Sequence, residues 1–242
     1  MLKPSLEEVK ALAKQYNTIP VFYEFSADNQ TPLNIYTALS KDSRNSFILE
    51  SVSNGVQWDR YSFVGVSPKE EICITGNTAE IRTGDKIETK EVEQPIAFLK
   101  ERMAAYRSPV LEGAPNFTGG LIGYFGYDTV RYMEKKLTHV PEDDIHMPDC
   151  HLFLYEELLA YDHLTSNGIV ILNLHTDGDL GAQYAAAQWR AEELADIVRH
   201  YNPQPQIRQH HGEAVVRSNL TKEQYSQMVR DAKEYIRNGD IF

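Results

Sequence analysis

Apolar positions recur along this chain in two periods, and each change of period marks an element. Leu6, Val9, Leu12, Ala13 and Tyr16 fall on one helical stripe, and Ser5 with Glu8 has capping-box spacing. Residues 21–25 alternate and predict a strand. Thr31 before Pro32 starts a second helix that runs to about Ser40. Five short strand runs follow, at 46–52, 60–66, 71–75, 78–83 and 86–92. The turn residues between them are Ser53-Asn54-Gly55, Ser67-Pro68, Gly76-Asn77 and Gly84-Asp85, which predicts an antiparallel meander. Ile96, Leu99 and Met103 restore the helical period over 95–106.

Beyond a Pro- and Gly-rich loop, residues 117–127 are dense in glycine and aromatics, and Asp128 can cap a short helix to Glu134. Residues 150–163 read as one long strand, with 169–175 as its hairpin partner across Asn167-Gly168. The longest helix is expected at 180–201, with its alanines, Trp189, Leu194 and Val198 facing inward. Thr221 and Gln224 cap a last helix, which Gly239 ends. Strand runs and helices alternate without a βαβ rhythm. The expected class is therefore α+β, with antiparallel sheets and packed helices. The prolines, glutamines and histidines after residue 201 read as a linker. The expected organisation is a first domain at 1–201, a linker at 202–220 and the start of a second domain at 221–242. The last four residues, Gly239-Asp240-Ile241-Phe242, read as the start of a further strand, so a longer natural chain is expected.

Composition narrows the partners. Lys and Arg number 24 against 35 Asp and Glu, a net charge of −11 over 242 residues. That field repels phosphate backbones and anionic membranes, so neither nucleic acid nor a membrane is an expected partner. Cys73 and Cys150 are the two cysteines, too far apart in sequence for a C-x-x-C unit. Reduced, buried thiols are expected. Neither a signal peptide nor an apolar run of membrane-spanning length is visible, which fits a cytoplasmic location.

Few segments carry recognisable chemistry. The glycines at 119, 120, 123 and 126 have neither dinucleotide nor phosphate-loop spacing, and read as close backbone packing. Glu142-Asp143-Asp144, with His146 and Asp149, lacks the calcium-loop pattern and reads as a solvated loop. In Phe47-Ile48-Leu49-Glu50-Ser51 an apolar strand runs directly into a carboxylate and a hydroxyl. Glu50 can hold an ammonium group and Ser51 can bond either end of an amino acid. A return strand would bring Arg60 near. The alternative is a solvated strand end with an Arg60–Glu50 ion pair.

Read in order, Phe47-Ile48-Leu49-Glu50-Ser51, Arg60-Tyr61-Ser62-Phe63-Val64-Gly65, the segment from Phe117 to Asp128, Met147-Pro148-Asp149 and Tyr161-Asp162-His163 resemble one family. It is the anthranilate synthase component I family of chorismate-utilising enzymes, and the resemblance is to its N-terminal part, over essentially the whole chain. It implies a two-layer α+β architecture with antiparallel sheets. It also implies a lyase-type reaction of tryptophan biosynthesis, in which chorismate and ammonia give anthranilate and pyruvate with Mg2+. A glutamine amidotransferase subunit would supply the ammonia. Leu49, Glu50 and Ser51 match the family's site for L-tryptophan, the feedback inhibitor, and Arg60 and Tyr61 lie where a further contact is expected. The family's chorismate and magnesium residues lie mainly in its C-terminal region. No catalytic or metal role therefore falls on this chain, which is expected to be inactive alone. The glycine-aromatic segment is shared with aminodeoxychorismate synthase component I, which stays open as an alternative, as does a stand-alone amino-acid-binding module.

Overall fold

Among the described residues, fifteen helices and strands follow one another in sequence. They are α1 (Leu6–Leu12), β1 (Thr18–Ser26), α2 (Pro32–Leu39), β2 (Ser46–Leu49), β3 (Tyr61–Val66), β4 (Glu70–Thr75), β5 (Thr78–Thr83), β6 (Lys86–Glu91), α3 (Pro95–Ala104), β7 (Gly120–Phe125), β8 (Cys150–Tyr155), β9 (Glu157–Asp162), β10 (Asn167–His175), α4 (Leu180–Arg199) and α5 (Lys222–Asn238). The computed structural model describes residues 1–50, 60–134, 136–140, 142–203 and 215–242. They divide into two units, Met1–Pro203 and Gln204–Phe242. Most of the expected linker, and the Ser53-Asn54-Gly55 turn, lie outside the described residues.

The first unit is built on two five-stranded antiparallel sheets. One has the order β1-β10-β9-β3-β2, the other β6-β5-β4-β8-β7. The fold is α+β, as expected. Alternation decides which face of each strand is buried. In the first sheet Val64, Leu159, Val170 and Leu172 share a core with Ala187, Ala191, Leu194, Ala195 and Val198 of α4. In the second, Ile72, Ile74, Ile81 and Leu152 pack with Leu99 of α3. A third cluster joins the sheets, with Tyr155, Leu158, Ala160 and Ile171 meeting Phe47, Phe63 and Phe117. Burying each large aliphatic of this kind contributes about 1.5–3 kcal/mol.

Two sequence expectations change here. Residues 150–163 are two strands, broken at Glu156, and they belong to different sheets. β8 pairs with β4 and β7, whereas β9 pairs with β3 and β10. Likewise the five predicted meander strands divide, with β2 and β3 in one sheet and β4–β6 in the other. Both crossings are tied at one corner. Lys69 Nζ lies 2.8 Å from Glu156 Oε1, and His175 Nε2 lies 2.9 Å from the same oxygen. A period-two pattern reports alternation and is blind to a change of partner.

Trp189 is the other correction. It is 67% exposed, while the inward stripe of α4 is Ala187, Ala191, Leu194, Ala195 and Val198. At about 100° per residue, Trp189 stands about 200° round the helix from Ala187. The short helix after Gly126 is a 3-10 turn over Tyr127–Tyr132. In the second unit α5 has the predicted capping box, with Thr221 accepting from the Gln224 N–H, and Gly239 closes it at φ 79°.

Neither cysteine is bonded, and Cys150 is fully buried while Cys73 is only partly so. Burial, with Asp149 nearby, pushes the Cys150 thiol up to about 11. In the native protein at pH 7.5, iodoacetamide should leave Cys150 unmodified until urea unfolds the chain. Mass spectrometry showing native modification of Cys150 as fast as in urea would contradict its place in the core.

Candidate functional site

β3 begins where the first sheet meets the residues singled out by sequence. Arg60 lies just before it and reaches across to the end of β9. Its Nε donates to Asp162 Oδ1 at 3.0 Å and its Nη2 to Oδ2 at 2.6 Å. This is the two-pronged geometry that a planar guanidinium makes with a carboxylate. Asp162 is 2% exposed and also accepts from the Leu164 N–H and the Thr165 hydroxyl. Burial pushes its carboxyl up, but Arg60 and those two donors outweigh burial and hold it below the usual carboxylate range. The guanidinium stacks 4.9 Å from the Tyr61 ring centre. Burial raises the Tyr61 phenol, and Arg60 opposes that rise.

These groups line a cavity of about 670 Å³, with Phe22, Glu24 and Ile169 of the first sheet on one side and the loop around Leu111 on another. Glu24 is held by Asn167 Nδ2 at 2.8 Å. The cavity thus combines apolar walls with both signs of charge, a combination suited to a small amphipathic ligand.

Arg60 and Tyr61 are therefore together in one cavity. Leu49 and Glu50 are absent from its described lining. Leu49 ends β2 opposite Phe63, on the same face as Tyr61, and both Leu49 and the following Glu50 are exposed. Ser51 lies outside the described residues. The Arg60 partner is Asp162, which replaces the Arg60–Glu50 pair offered as an alternative. Sequence reasoning quoted Asp162 only within a motif. The available signal was a lone carboxylate closing the apolar run Leu158-Leu159-Ala160-Tyr161.

The acidic segment gathers no metal site. Among the described residues no three His, Cys, Asp or Glu side chains converge as metal ligands. Asp149 instead accepts from the Tyr132 hydroxyl and the Gly76 N–H, each at 2.7 Å. Among the described residues no helix is long and apolar enough to cross a membrane.

Comparison with known proteins agrees with this fold. Residues 47–242 match the family profile of chorismate binding enzymes, and the chain belongs to that family. It is 37% identical to anthranilate synthase component 1 of Acetivibrio thermocellus, over 100% of this chain and 50% of that protein. It is 36% identical to anthranilate synthase component 1 of Pseudomonas aeruginosa, over 97% of this chain and 48% of that one. The crystal structure of anthranilate synthase component I from Streptococcus pneumoniae superposes with a TM-score of 0.54 at 25% identity, covering 88% of this chain and 45% of that one. The chain spans about half the length of the curated relatives it matches.

Proposed function

We propose that this chain is the N-terminal half of an anthranilate synthase component I, a lyase that converts chorismate and ammonia to anthranilate and pyruvate. The observation that carries this is 37% identity over the whole chain to a protein of that name. Ammonia comes from glutamine through an amidotransferase partner. The reaction uses Mg2+, and the residues described here do not converge as a site for it.

The role of this half is regulation. Glu50 holds the ammonium of L-tryptophan, Ser51 bonds its polar end, and Leu49, Arg60 and Tyr61 border the site. Inhibition then requires tryptophan to bind one arrangement of the enzyme more tightly than another. In the full-length enzyme, Ser51→Phe should place a bulky ring where tryptophan sits. Anthranilate fluorescence should then keep rising when tryptophan is added. A Ser51→Phe enzyme as sensitive to tryptophan as the wild type would remove Ser51 from the site.

A further inference from the structure

The corner at Glu156, where β8 passes into β9 and the two sheets cross, has no part in the function proposed above. A cavity of about 90 Å³ lies there, with Thr18, Tyr106, Thr118, Gly119, Glu156 and Asn173 in its lining. Strand register fixes which side chains face it. Thr18 pairs with His175 and Pro20 with Asn173, so the side chains of 18 and 173 share one face of the first sheet. Ile19 and Val21, of opposite parity, belong to the core under α4. Asn173 reaches from that shared face to the second sheet. Its Nδ2 donates to the Thr118 carbonyl at 2.7 Å and to the Glu156 carbonyl at 3.0 Å. Both amide hydrogens are thereby used, which leaves Oδ1 as an acceptor. Gly119 makes room for this amide, since a Cβ there would come within 2.9 Å of Asn173 Nδ2 and of the Tyr155 carbonyl oxygen.

Thr18 is 4% exposed, and its hydroxyl has no partner among the described residues. A hydroxyl buried in this way costs free energy unless something bonds it. The one charged residue in the described lining, Glu156, is already engaged by Lys69 at 2.8 Å and His175 at 2.9 Å, so the cavity offers no spare charge to an ion. We propose that it is a built site for ordered water, with one molecule bonded to Thr18 Oγ1 and linked to Asn173 Oδ1. At roughly 30 Å³ per molecule the space admits about three waters. The site meets both conditions for buried water, which are room and several polar partners. These waters tie β1 of one sheet to the segment that leads into β7 of the other.

The test rests on a sign. Thr18→Val keeps the shape of the side chain and removes its hydroxyl. With water in the cavity, the variant deprives that water of a partner, and urea unfolding of the full-length protein should show an unfolding constant raised about fivefold. In a dry cavity the same change would remove a stranded hydroxyl and make the protein more stable. A high-resolution crystal structure of the full-length wild type gives the second measurement, and it decides even where Thr18→Val fails to fold. Water should stand within hydrogen-bonding distance of Thr18 Oγ1, and Thr18→Ser, which keeps the oxygen, should keep that water. Empty density in the wild-type cavity would overturn the inference, and so would a Thr18→Val protein as stable as the wild type or more so.

Discussion

Gly123→Ala should cost about 3 kcal/mol of unfolding free energy, among the largest losses expected from adding one methyl group. The cause is backbone against backbone. Gly123 lies on β7 opposite Leu152 of β8, at φ 159°. A Cβ built there would overlap the His151 carbonyl oxygen and come within 2.9 Å of Leu152 Cα. No rotamer change relieves that overlap, so β7 must move off β8. Gly84 is the control. It has φ 57° and nothing within 4 Å of its would-be Cβ, so Gly84→Ala carries only the left-handed backbone penalty of about 1 kcal/mol. Urea unfolding should separate the two variants clearly. Equal losses at both positions would mean that β7 does not approach β8 as described.

Asp162→Ala should cost a similar amount, about 3 kcal/mol, for a different reason. The variant takes the acceptor from the Leu164 N–H, the Thr165 hydroxyl and the Arg60 guanidinium, four hydrogen bonds in all. Arg60 is 46% exposed at its side chain and can turn to water, which keeps the loss below that of a fully buried pair. The pH dependence has a definite sign. The folded Asp162 carboxyl lies below its ordinary value, so its contribution is fully present above the unfolded value of about 4. It is lost as pH falls through the lower folded value. The stability gap between wild type and Asp162→Asn should therefore narrow in acid, below about pH 4. A gap that holds constant or widens down to the acid transition would place the carboxylate in another environment.

Local signals and distant ones were legible to different degrees. Both capping boxes appear where Ser5–Glu8 and Thr221–Gln224 spacing puts them, because a cap is a contact within four residues. The β9–β10 hairpin forms, but not on the predicted Asn167-Gly168 turn: residues 163–166 make the turn, with Ser166 at φ 56°, and Asn167 and Gly168 already pair with Asp162 and Tyr161. Gly123 of β7 packs closely against backbone as expected, although the strand it approaches is not identifiable from sequence, whereas Gly120 meets only the Phe117 side chain at 3.8 Å. The break at Glu156 was invisible, since apolar alternation is similar on both sides of it and only partner strands differ. Of the residues singled out as a ligand site, Leu49 and Glu50 stand outside the described lining of the cavity. Arg60 and Tyr61 were singled out and do share a cavity. Asp162, which fixes Arg60, lies 102 residues away in sequence. No local pattern reports a pairing over that distance, and only the β3–β9 register brings the two together.

The proposal that this chain is half of an anthranilate-forming enzyme is tested most directly by product identity. The full-length protein should be given chorismate, ammonia and Mg2+, and its products separated by liquid chromatography. Anthranilate and pyruvate in equal amounts, with tryptophan suppressing both, is the expected result. Aminodeoxychorismate without pyruvate release, or no amination of chorismate at all, would contradict it.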